Sequence, residues 1–163
     1  MPRPFLTILL AATLTVAKAE PTPMDHVKEG VYTLHDDENK SEEQRRHTHY
    51  WQTTILELKD GRFRYWFRSD AKTPGEPNYP QIGKYVAKDG VVTIRVKMGS
   101  WAALLPEDPP HDVYQTVEWK FMTYQGRIIL WPISLLGPPK DGKPPHNVLF
   151  RTNRKPEEIW KQE

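Results

Sequence analysis

Cysteine is absent from all 163 residues, which excludes stabilising disulfides, a thiol nucleophile and a lipid-attachment cysteine together. Charge of one sign is missing too. The 23 Lys and Arg stand against 21 Asp and Glu, and two of the basic residues, Arg3 and Lys18, fall in an N-terminal leader, leaving 21 against 21. A nucleic-acid interface would therefore need a local basic cluster. The longest, Arg45-Arg46-His47, follows Glu42-Glu43 across Gln44 as a mixed solvated face, so no nucleic-acid partner is expected. Neither a Gly-x-Ser-x-Gly elbow nor a phosphate-cradling glycine loop occurs.

Long apolar runs are also lacking beyond the leader. There, Arg3 precedes an apolar stretch over 5–16, and Ala17-Lys18-Ala19 offers a small-x-small cleavage site. This pattern predicts a signal peptide over 1–19 and a mature chain beginning at Glu20. An apolar run of about twelve residues falls short of the roughly 20 needed to span a bilayer. The expectation is an exported protein, periplasmic or extracellular, with no integral membrane segment after cleavage. About 144 residues remain, enough for one domain with a sizeable core. That domain is expected over 20–154, followed by a short charged tail, 155–163, that Pro156 could start as a helix.

What the chain does have is the tripeptide Lys-Asp-Gly, three times. The copies at 59–61 and 88–90 separate runs of alternating apolar and polar residues and predict two-residue type I′ hairpin turns. Pairing outward from the first sets Leu58 opposite Phe63, Leu56 opposite Tyr65, Thr54 opposite Phe67 and Glu57 opposite Arg64. The second pairs Ala87 with Val92, Tyr85 with Ile94 and Gly83 with Val96. It also sets Lys84 against Arg95, two like charges that demand either a shifted register or an acidic neighbour, the neighbour being the expected answer. A third hairpin, around Gln125-Gly126, brings Phe121 opposite Leu130. The third tripeptide, 140–142, lies among prolines and reads as a loop tip.

Strand-like runs recur at 31–35, 48–58, 62–68, 82–87, 91–98, 113–122, 127–131 and 147–151, with Gly, Pro, Asn and Asp between them. Eight such runs predict an all-β, eight-stranded antiparallel up-and-down barrel, with a two-sheet sandwich as the alternative. The first-strand segment Gly30-Val31-Tyr32-Thr33-Leu34, the hairpin over 56–65 and Gly83-Lys84-Tyr85 leading into 90–94 resemble small secreted bacterial β-barrel proteins of the lipocalin-like class. Where lipocalins commonly carry Trp two residues after the first-strand glycine, this chain has Tyr32. The resemblance implies a fold more than a function.

The strongest functional lead is aromatic. Phe63, Tyr65, Phe67, Tyr85 and Trp119 are inward candidates that either fill the barrel or line a pocket for a small apolar ligand. Trp66 points outward between Arg64 and Arg68, so another element covers it or it forms an interaction surface for a protein partner. His47 and His49, two apart on one strand face, are candidate ligands for zinc or copper if His35, Asp36, Asp37 or His111 complete the set. The loop Asp108-Pro109-Pro110-His111-Asp112 holds a His between carboxylates. The first expectation is a non-enzymatic binding or interaction module without a cofactor. The alternatives are an exported metal-binding protein or hydrolytic enzyme using His47 and His49, and a purely assembly role.

Overall fold

The computed structural model of the chain describes residues 20–34, 40–41, 43–44, 52–69, 80–98, 113–137 and 147–160. Among the described residues, ten strands form one antiparallel sheet: β1 (Thr22–Pro23), β2 (Gly30–Thr33), β3 (Gln52–Lys59), β4 (Arg62–Ser69), β5 (Gln81–Lys84), β6 (Val86–Lys88), β7 (Val91–Met98), β8 (Val113–Tyr124), β9 (Arg127–Pro132) and β10 (Leu149–Thr152). Nine follow one another in the order β5-β4-β3-β2-β10-β9-β8-β7-β6, and β1 joins β8 off that path. Since β5 and β6 are halves of one run separated by Tyr85 alone, the two ends of the order meet. The sheet is a nearly closed barrel, and the two-sheet sandwich is set aside.

Nine strands stand in the path where eight were expected because the run over 82–87 changes partner in its middle. Asp60, Asp89 and Gln125 have φ of 52°, 50° and 50°, each followed by a glycine at φ of 71°, 69° and 74°. These are the three two-residue turns, and they fix register. Every pair expected across β3 and β4 is present, as are Ala87 with Val92 and Phe121 with Leu130.

The second hairpin departs from expectation beyond Val86. Gly83 pairs with Phe63 and Lys84 with Arg62, on β4 rather than β7, and the Tyr85 N–H donates to the Gly61 carbonyl at 3.3 Å. The expected pairs of Tyr85 with Ile94 and Gly83 with Val96 are therefore absent. So is the opposition of Lys84 and Arg95, which the switch of partner removes without any acidic neighbour. The glycine explains where the bend falls: a Cβ on Gly83 would sit 2.6 Å from Phe63 Cε1, so only glycine lets the ring lie across this strand. Where β5 and β7 fail to pair, the Gln81 side chain bridges them. Its Oε1 accepts from the Lys97 N–H at 2.6 Å, and its Nε2 donates to the Lys97 carbonyl at 3.0 Å. A side-chain amide thus takes the place of a peptide group in the ladder.

Inside, one apolar cluster includes Tyr32, Leu56, Leu58, Phe63, Tyr65, Val92, Ile94, Trp119, Phe121 and Leu130. Among the described residues, no buried side-chain polar atom lacks a partner. Two smaller clusters lie on the outer wall. One joins Met122, Ile129, Trp131 and Val148 beside helix α1 (Ile133–Leu136). In the other, helix α2 (Pro156–Trp160), begun by Pro156 as its sequence implies, lays Ile159 against Ile55 and Trp66. The charged tail is thereby anchored on the barrel.

Candidate functional site

The two ends of the barrel differ. At one end stand the three two-residue turns, sealed by the N-terminal segment. The Met24 N–H donates to the Phe121 carbonyl at 2.9 Å, Met24 and Val27 pack on the inner cluster, and the Tyr32 hydroxyl donates to the Lys28 carbonyl at 2.5 Å. Tyr32 is fully buried, edge-on to Phe121 at 5.8 Å, and burial holds its phenol well above the ordinary value. This tyrosine plugs the floor.

Glu29 ties that segment down. Its carboxylate accepts from the Gly61 N–H at 3.1 Å and from the Tyr85 hydroxyl at 2.8 Å. The backbone N–H groups of Asp60 and Gly61, then Tyr85, hold its carboxyl below the ordinary 4.5, because hydrogen bonds to a carboxylate favour the charged form. Burial, then the Glu29 carboxylate, pushes the Tyr85 phenol up to about 12. A carboxyl with a depressed folded pKa stabilises the fold above its unfolded value, and that contribution fades as pH falls through the folded one. Glu29→Gln is therefore expected to lower the urea midpoint at pH 7, with the gap to wild type closing as pH drops below about 4.5. A gap independent of pH would show that the Glu29 charge is not what fastens the segment.

At the other end the strands lead into segments that lie outside the described residues. A cavity of about 210 Å³ opens there among inward side chains at the strand ends. Its apolar wall is Leu34, Tyr65, Phe67, Val117, Trp119, Pro132 and Leu149, and Gln52, Thr54, Gln115 and Asn147 supply polar groups. Tyr65 and Trp119 lie 6.3 Å apart at a 47° tilt, forming one aromatic corner. No described residue lining the cavity is an acid or a base with a formal charge at neutral pH. Apolar walls with a few amide and hydroxyl groups suit binding of an uncharged, largely apolar molecule.

This geometry divides the inward aromatic set. Tyr65, Phe67 and Trp119 line the cavity; Phe63 and Tyr85 do not, because both sit near the Asp60-Gly61 turn, at the sealed end. Of the residues not foreseen, Gln115 and Val117 share the face of Trp119 by simple alternation, and Thr54 was already placed opposite Phe67. Leu149 and Asn147 reach the site only through the pairing of β10 with β2 and β9, for which no local signal exists.

Trp66 is 4% exposed, so the indole is not a free interaction surface while α2 is docked. The arginines beside it hold that helix. Arg64 pairs with Glu57, bonds Glu157 at 3.0 Å and lies over the Trp66 ring at 5.1 Å; Arg68 lies over Trp160 at 5.5 Å. His47, His49, His35, Asp36, Asp37 and the loop over 108–112 lie outside the described residues. Among the described residues, no group of three or more His, Asp or Glu is placed to hold a metal ion. Nor is any helix among them long and apolar enough to cross a membrane. The chain matches no known protein family, no curated protein and no solved structure.

Proposed function

We propose that the protein is an exported, non-enzymatic binding module that holds a small apolar ligand in the cavity at the end of its barrel opposite the two-residue turns. The observation that carries this reading is the aromatic-cornered cavity of about 210 Å³. An apolar cavity of about 150 Å³ in another protein stays dry and accepts benzene, so this one suits a single ring bearing a short chain, or a comparable aliphatic group. The apolar leader over 1–19 supports export. Trp119, 3% exposed and part of the wall, provides an intrinsic reporter.

Butylbenzene titrated into the protein is expected to shift tryptophan emission and raise the melting temperature. Val117→Phe extends a ring into the cavity and is expected to weaken that binding at least about tenfold, since overpacking a filled site opposes entry. Undiminished affinity in Val117→Phe, or no binding of alkylbenzenes, short alcohols or simple sugars to the wild type, would remove this reading.

A further inference from the structure

The outer wall along β5 and β6 presents Ile82, Lys84, Val86 and Lys88 at outward positions, and all four are exposed. The two aliphatic side chains stand well clear of the barrel, Ile82 at 60% and Val86 at 68% exposure. Apolar tips and cations therefore alternate along one line. The neighbouring strands extend the pattern. Arg62 stands opposite Lys84, and Arg95 lies over the ring of Tyr114, itself 50% exposed, at 4.9 Å.

Like charges face to face across a ladder are unfavourable. Among the described residues, no carboxylate forms an ion pair with Arg62, Lys84, Lys88 or Arg95. The carboxylates nearby are engaged elsewhere or placed on turns: Glu57 with Arg64, Glu118 with the Thr93 hydroxyl, Asp60 and Asp89 in the turns. In a mature chain of balanced charge, this wall is a local positive excess studded with apolar groups.

We propose that this wall docks on an anionic lipid surface. Charge complementarity selects an anionic occupant, and the spread of the cations selects a surface over a single anion. The shallow recess beside Ile82 is lined by Glu57 and Asp60 as well as Arg62 and Arg64, so it is not the seat of a discrete anionic group. Protruding aliphatic tips flanked by long basic side chains match a bilayer interface. The tips enter the boundary between headgroups and acyl chains while the basic heads remain at the level of the phosphates.

Sedimentation of the protein with vesicles tests this. Vesicles of phosphatidylcholine with phosphatidylglycerol are expected to carry the protein down at low salt and to release it at high salt, whereas phosphatidylcholine alone retains little. Each cation near an anionic surface is worth about fivefold in binding. Lys84→Glu with Arg95→Glu is therefore expected to weaken association at least about 25-fold. Ile82→Ser with Val86→Ser should weaken it at low salt as well, and Lys155→Glu, in the tail, should leave it unchanged. All these side chains are exposed, and circular dichroism confirms that each variant folds. Failure to sediment with anionic vesicles, or equal sedimentation of the Lys84→Glu/Arg95→Glu variant, overturns the proposal. Retention on a polyglutamate resin without vesicle binding overturns it in favour of an acidic protein partner.

Discussion

Gly90→Ala is expected to lower the free energy of unfolding by about 3 kcal/mol, against about 1 kcal/mol for Gly61→Ala, although the two glycines occupy equivalent places in two like turns. Their φ angles are 69° and 71°, so an alanine meets the same left-handed penalty of roughly 1–2 kcal/mol at either site. The surroundings separate them. A Cβ on Gly61 meets nothing within 4 Å, whereas one on Gly90 would lie 1.8 Å from the Met24 carbonyl oxygen. That contact is with backbone, which cannot swing aside. The N-terminal segment must lift, and Met24 and Val27 must leave the inner cluster with it. Urea unfolding of the two variants side by side measures the difference. Equal losses would mean that the segment over 24–29 does not seal the barrel's turn end.

Ile159→Asp is expected to cost about 2–4 kcal/mol and to undock α2. Ile159 is 7% exposed between Ile55 and Trp66, and a carboxylate there would be buried against apolar side chains. A helix of five residues has no stability of its own, so loss of its central apolar contact releases the whole element and its Glu157 and Trp160 contacts. The barrel's inner cluster does not include Ile159 and stays folded. Trp66 then becomes accessible: emission shifts to the red and iodide quenching rises, and both changes shrink to the part due to Trp160 in a Trp66→Phe background. An unshifted spectrum would place the tail elsewhere. The same variant reveals whether the arginine-framed indole, once uncovered, recruits another molecule.

Much of the fold was legible from the chain because turn chemistry and alternation are local. Asp-Gly and Gln-Gly announced three hairpins, and period-two alternation then fixed the four pairs expected across β3 and β4. The break at Tyr85 was not legible, because it depends on a ring from another strand crossing Gly83 and on the barrel's need to close. Lys84 facing Arg95 was a correct sign of trouble in the register, answered by a change of partner. Trp66 between two arginines was likewise a real signal of a covered surface, and only the three-dimensional path of the tail identifies α2 as the cover. Of the site, alternation found the aromatic corner of Tyr65, Phe67 and Trp119. It also drew in Phe63 and Tyr85, since an inward direction does not say at which end of a barrel a residue lies.

Methyl-resolved NMR during a butylbenzene titration tests the central claim most directly. Binding in the cavity predicts shifts concentrated on the methyl groups of Leu34, Val117 and Leu149, which line it. Leu58 and Val92, buried near the turns at 1% and 0% exposure, should remain unmoved. Shifts spread evenly over the inner cluster, or none at saturating ligand, would contradict a ligand site in the mouth of this barrel.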